Sequence, residues 1–152
     1  MSLPPLDAGN FDAARQHWLA VRVYYEDTDF TGMVYHANYL RFFERGRSDH
    51  LRDAGVSHQS LLARKDPAAF TLTNVNVSYR RPARVDDLLL IRTRYLGMDG
   101  PRIRFAQACL RDGDLIAEAE ITAVMIHADG RLRRPIKEIA EHLEAYRWHP
   151  HG

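Results

Sequence analysis

The residues best suited to chemistry stand together between Asp27 and Tyr39. Two carboxylates, Asp27 and Asp29, sit at i and i+2 where an alternating strand pattern ends; Gly32 and the beginning of a helix near His36 follow. Backbone N–H groups that open a helix have no partner inside it, and the helix dipole favours negative charge beside them. A carboxylate facing such groups has the parts for acyl transfer, one to attack or to activate water, the other to hold a developing oxyanion. Aspartates at this spacing also serve as turn caps. The pattern by itself leaves both uses open.

Other residues compete for a role. Glu44 lies eight residues beyond His36, close to the same helical face, where a carboxylate is out of place if the face is buried. Arg45 and Arg47 stand nearby, so an ion pair would account for Glu44 without catalysis. His36 and His50 have aspartates near them, yet no His-x-x-x-His pair or third ligand accompanies them, and no metal is expected.

The elements that must position these residues are readable from periodicity. Val21, Val23 and Tyr25 alternate with Arg22, Tyr24 and Glu26, which predicts a strand from Ala20. A short helix is expected over residues 11–18. From His36 a long helix of about five turns is expected: Leu40, Phe43, Arg47, Leu51 and Ala54 recur at three- and four-residue steps, Tyr39, Phe42 and Gly46 widen the stripe, and Gly55 supplies the stop. A second helical piece is expected over 57–64. Four strands follow over 70–79, 88–95, 102–110 and 115–127, with a bulge expected where the apolar parity switches between Leu72 and Val75. Asp99-Gly100 and Asp112-Gly113 separate the last three as hairpin turns. A terminal helix over 135–146 closes the pattern. The order predicts one α+β domain, an antiparallel sheet of about five strands wrapped around one long helix.

Composition narrows the function classes. At 152 residues the chain is one domain's worth, and 45% hydrophobic with 27% charged residues is an ordinary globular profile. A formal net charge of +1 gives no reason to expect nucleic acid or an anionic membrane as partner. Cys109, the single cysteine, excludes an intrachain disulfide and a thiolate zinc cage, and its alternating strand context predicts a buried thiol in a reducing compartment. No run approaches the ~18 apolar residues of a membrane helix, and Asp7 and Asp12 interrupt any leader-like segment. The expectation is a cytoplasmic protein without membrane insertion.

The segment from Asp27 to Tyr39 resembles the signature of the hydroxybenzoyl-CoA thioesterase family, in its branch of Tol-Pal-associated acyl-CoA thioesterases. The pattern Asp-x-Asp-x-x-Gly-x-Val-Tyr-His-x-x-Tyr is present, and similarity continues through Phe43-Glu44-Arg45. The resemblance implies a hotdog domain over residues 20–146, with 1–19 as an N-terminal extension. It implies hydrolysis of acyl-CoA to a carboxylic acid and CoA, with Asp29 as nucleophile or general base. The backbone N–H of His36 corresponds to the oxyanion donor, Gly32 turns the loop, and Asp27 supports it. Coenzyme A carries several negative charges that arginine forks suit; Arg80, Arg81 and Arg84, and Arg102 and Arg104, are the basic candidates. By resemblance Arg102 meets the nucleotide end, although Pro101 stands where relatives often carry another cation. Further implications are a site shared between subunits of a homodimer, commonly paired into a tetramer, and no cofactor other than the CoA of the substrate. A hotdog hydratase or dehydratase would pair its acid and histidine at a different spacing. A non-catalytic acyl-CoA or acyl-carrier-protein binding module is the alternative outside enzymes.

Overall fold

Residues 11–150 are described by a computed structural model. Its centre is helix α1 (Asn38–Asp53), whose buried residues include Tyr39, Phe42, Phe43, Gly46, His50 and Leu51. Phe42 and Phe43 are completely enclosed. A Cβ at Gly46 would stand 2.7 Å from Ile91 Cγ2 and 2.9 Å from Thr93 Oγ1, so only glycine lets the helix press this closely onto the sheet. The stripe is turned slightly from the expected one, and Leu40 is left partly exposed.

The sheet wraps this helix. Strands β1 (His17–Arg22), β2 (Ala68–Tyr79), β3 (Leu88–Asp99), β4 (Arg102–Arg111) and β5 (Asp114–His127) lie in the order β1-β3-β4-β5-β2, every pair antiparallel. Short helix α2 (His58–Leu62) leads into β2, and α3 (Lys137–Glu144) follows the sheet. This is the hotdog architecture. The expected irregularity in β2 is present as a register shift between Leu72 and Asn74. Both expected hairpins join neighbouring strands. The second turns on Asp112-Gly113, with φ values of 50° and 84° as a two-residue turn with primed geometry requires. The first turns on Gly100-Pro101, because Asp99 is the last residue of β3 and pairs with Arg102.

Four local differences have physical causes. Residues 11–18 are not helical: the Asp12 carboxylate takes the N–H groups of Ala14 and Gln16, and the Trp18 indole N–H as well, which holds a turn. The sheet therefore begins at His17, three residues before the expected boundary at Ala20. The strand stops at Arg22, because the Asp27 carboxylate accepts the Tyr24 N–H and draws Tyr25–Asp27 into a 3-10 turn. Strand β3 continues past Tyr95 to Asp99 through a second irregularity at Gly97, whose φ is 100°.

Core polar groups fill structural places. His50 is fully buried among Phe11, His17, Tyr95 and Phe105. Burial first, then neighbouring His17, pushes its pKa down to about 3, so it is neutral. Cys109 is buried and its thiol is pushed up to about 12 by burial, an inert group. Among the described residues no three His, Cys, Asp or Glu side chains converge as metal ligands.

Candidate active site

Asp29 occupies a tight loop between the 3-10 turn and α1. Its N–H donates to Met33 O at 2.8 Å, and Gly32 N–H donates back to Asp29 O at 3.2 Å. Gly32 has φ 81°, while a Cβ there would meet nothing within 4 Å; the backbone angle, rather than space, demands glycine. Met33 and Val34 then bridge to the segment before β3, with Val34 N–H donating to Ala83 O at 2.8 Å. The loop is thus braced at both ends.

The carboxylate of Asp29 is exposed and asymmetrically bonded. Thr31 donates to Oδ1 through its N–H at 2.8 Å and its hydroxyl at 2.5 Å. The two short bonds both go to Oδ1, and the Met33 N–H adds a weaker donor to the carboxylate, so Oδ2 is the less constrained oxygen. The Thr31 hydroxyl first, then the Thr31 N–H, holds the Asp29 carboxyl below the ordinary carboxylate range, with the Met33 N–H and then His36 adding smaller contributions. The side chain is ionised at neutral pH.

Asp27 faces the other way. It is buried, accepting the Tyr24 N–H at 2.8 Å and the Asn38 side-chain amide at 2.7 Å, while its carbonyl accepts the Tyr35 N–H at 2.9 Å. One carboxylate therefore clamps the end of the strand to the start of the helix. Helix α1 itself begins at Asn38 rather than His36, because Tyr35 to Asn38 forms a turn closed by Asn38 N–H to Tyr35 O at 2.8 Å. Among the described residues the N–H groups of His36 and Ala37 have no hydrogen-bond acceptor, and they remain the free donors at the helix mouth.

Glu44 lies further along α1, exposed, where it accepts the Ser48 hydroxyl at 2.9 Å. The expected ion pair is not formed within the chain: Arg45 lies over the Phe42 ring, and buried Arg47 donates to Gln107 at 3.0 Å. Glu44, Arg47, Ser48 and His58 border a pocket of about 200 Å³ whose apolar wall includes Leu51, Phe70 and Phe105.

The two arginines singled out for CoA are not brought together. Arg81 is exposed at the end of β2 and reaches Asp114 at 3.4 Å, at the same end of the sheet as the Asp29 loop. Arg102 opens β4 opposite Asp99, at the other end. There it joins Arg104 around a groove of about 650 Å³ that also includes Thr71, Thr73 and Asn74 of β2. The 12-residue β3 separates the two ends, a span of roughly 35–40 Å at the usual strand rise. Spacing in the sequence had not singled out Arg134 and Lys137, which border the adjoining cleft beside Pro101. Thr31 and Asn38 were also passed over; only the Asp-x-Thr spacing of a side-chain-capped turn hinted at the first.

Known proteins match this chain over most of its length. Acyl-CoA thioester hydrolase YbgC of Escherichia coli O157:H7 is 43% identical over 107 residues, covering 70% of this chain and 78% of the relative. Acyl-CoA thioesterase YbgC of Haemophilus influenzae is 39% identical over 106 residues, 70% of this chain and 77% of that protein. The crystal structure of a probable thioesterase from Bartonella henselae superposes with a TM-score of 0.77 at 37% identity, covering 80% of this chain and 99% of the other. The family model of the thioesterase-like superfamily matches residues 23–145, and the chain belongs to that superfamily.

Proposed function

We propose that this protein hydrolyses acyl-CoA thioesters to a carboxylic acid and free CoA, with Asp29 as its catalytic carboxylate. The observation that carries the reading is the ionised Asp29, one oxygen fixed by Thr31 and the other less constrained, on a braced loop that leads to N–H groups at the mouth of α1 without an acceptor among the described residues. The thioester oxygen lies against the His36 N–H, where charge develops as the carbonyl is attacked. Asp29 either attacks the carbonyl carbon, expelling the CoA thiolate and leaving an anhydride that water cleaves, or takes a proton from the water that attacks. Both routes consume one water and yield the same products. The relatives named acyl-CoA thioesterases support the substrate class. No cofactor enters either route.

The reading requires a second copy of the chain. Strand β2 lies at the sheet edge, 12 residues long, with Leu72, Val75 and Tyr79 exposed along it. A long edge of this kind invites pairing. Antiparallel pairing of two β2 strands about their middle sets the Thr71 end of one against the Tyr79 end of the other. Arg102 of one copy then approaches the Asp29 loop of its partner, which resolves the separation within a single chain. A dimer is therefore the smallest active unit, and a tetramer of two such dimers fits the family. We place the enzyme in the cytoplasm, where acyl-CoA and a reduced Cys109 are both at home.

A thiol-release assay over short, long, branched and aromatic acyl-CoAs, with acyl-carrier-protein thioesters beside them, tests the activity. Release of free thiol from at least one class is expected. Tight binding of acyl-CoA without thiol release would make the protein a binding module instead.

A further inference from the structure

We infer that Tyr79 is a positioning residue for the oxyanion-binding backbone, linking the mouth of α1 to the edge strand of the sheet. This rests on the reading of the Asp29 loop and helix mouth as the thioesterase site, and adds to it a side chain that touches neither substrate nor Asp29.

Tyr79 is the last residue of β2, and its hydroxyl donates to the backbone carbonyl of His36 at 2.9 Å. Its ring lies edge-on to the His36 imidazole, with centroids 6.4 Å apart, and against Tyr39 in the first turn of α1 at 5.6 Å. The Tyr39 hydroxyl in turn accepts the Ala83 N–H at 3.2 Å, and Ala83 O accepts Val34 N–H from the Asp29 loop. The helix mouth is therefore held by tyrosines on two sides.

The hydrogen bond to His36 O acts on the donors through the peptide group. That carbonyl shares its peptide plane with the Ala37 N–H, and the neighbouring peptide carries the His36 N–H. Fixing the carbonyl fixes the direction of the Ala37 N–H and restrains the His36 N–H beside it. Polarising the carbonyl also strengthens the N–H as a donor, by roughly 10–30% on condensed-phase estimates of hydrogen-bond cooperativity. A preorganised donor costs nothing to reorient when charge develops on the thioester oxygen, which is the source of its catalytic effect.

The position on β2 adds a consequence. Tyr79 is 46% exposed in the single chain, so water competes for its hydroxyl. A second β2 strand along this edge removes that water and strengthens the bond. Assembly and oxyanion binding are then coupled through one hydroxyl.

Tyr79→Phe removes the hydroxyl and keeps the ring. The expected result is a fall in kcat of about tenfold, smaller than the 10²–10³ lost when an oxyanion donor itself is removed. KM, solution mass and melting temperature should stay near wild type, and the Ala37 amide proton should move upfield in the NMR spectrum. Tyr79→Leu, which also removes the ring, should lower kcat further. An unchanged kcat in a folded dimer of Tyr79→Phe overturns the inference, as does a loss that sits in KM or that accompanies dissociation to monomers. Wild type and Asp29→Asn are assayed alongside. If wild type releases no thiol, or Asp29→Asn matches it, the reading of the site has failed; if those two behave as expected and Tyr79→Phe does not, only the role of Tyr79 has failed.

Discussion

The two ends of the sheet are equipped for different tasks. At one end, the Asp29 loop offers an ionised carboxylate and unpaired N–H groups, and nearby Arg80 and Arg81 are taken up by Glu118 and Asp114. At the other end, Arg102 opens a groove with Arg104, which lies 3.7 Å from Asp99, and Arg134 and Lys137, the latter 3.8 Å from Glu141, border the next cleft. Under the proposed mechanism the first end breaks the thioester, and the two arginines that follow β2 there already face carboxylates. The second is the proposed phosphate end, where Arg102 and Arg134 make no ion pair among the described residues. A molecule that carries a reactive acyl group and a polyanionic handle far apart needs both. The exposed β2 edge runs from one end to the other, and the proposed pairing of two such edges would bring the ends together.

The largest effect should come from the reactive end. Asp29→Asn keeps size and most hydrogen bonding while removing nucleophilicity and basicity, and should lower kcat by about 10²–10⁴-fold with little change in melting temperature. Glu44→Gln should cost far less, since Glu44 accepts a serine hydroxyl further along the helix. If Glu44→Gln abolishes turnover in a folded protein and Asp29→Asn remains active, the helix-borne acid is the catalyst and the comparison collapses.

The anionic end should respond differently in kind. Arg102→Ala should weaken CoA substrates by about 1–3 kcal/mol, the range for charged hydrogen bonds, mainly through KM, because a remote phosphate is bound alike in ground and transition states. A pantetheine thioester, which lacks the nucleotide, should be nearly indifferent to the change. Equal losses on both substrates would assign Arg102 to the fold.

The smallest effect concerns pH. Thr31 holds the Asp29 carboxyl below its usual value, and under the proposed mechanism the ionised form is the active one. Activity is therefore present above that depressed pKa and is lost as pH falls through it. Thr31→Ala removes the hydroxyl contribution, so the acid limb of the kcat/KM profile should move to higher pH while the rate near neutrality changes little. An unmoved acid limb would separate the limb from Asp29.

Much of this arrangement was readable without coordinates, and the parts that were not have definite reasons. The Asp112-Gly113 turn, the parity switch in β2 and the stop at Gly55 are local signals, and each appears in the structure; the other hairpin is present but turns one residue later than expected, on Gly100-Pro101. Residues 11–18 misled because the Asp12 side chain captures amides that a helix would have used. Gly97 masked the last residues of β3, since an irregularity breaks the alternation by which a strand is recognised. The grip of Thr31 on Asp29 was available as a two-residue spacing and was overlooked. Tyr79 was not available at all: its partner, His36, lies 43 residues away in the chain. The opposite placement of Arg81 and Arg102 follows from antiparallel strands, whose successive turns alternate between ends.

The central claim is that Asp29 of one chain works with Arg102 of another, and hybrid dimers test it most directly. Chains carrying Asp29→Asn and chains carrying Arg102→Ala are expressed together with different tags, and doubly tagged dimers are isolated. Across a two-fold interface each hybrid holds one site with both residues intact and one site lacking both, so about half of the wild-type activity should return at subsaturating acyl-CoA. That is well above the mean of the two parent proteins. Hybrid dimers no more active than that mean would show that Asp29 and Arg102 do not serve one site across the interface, and would contradict the account.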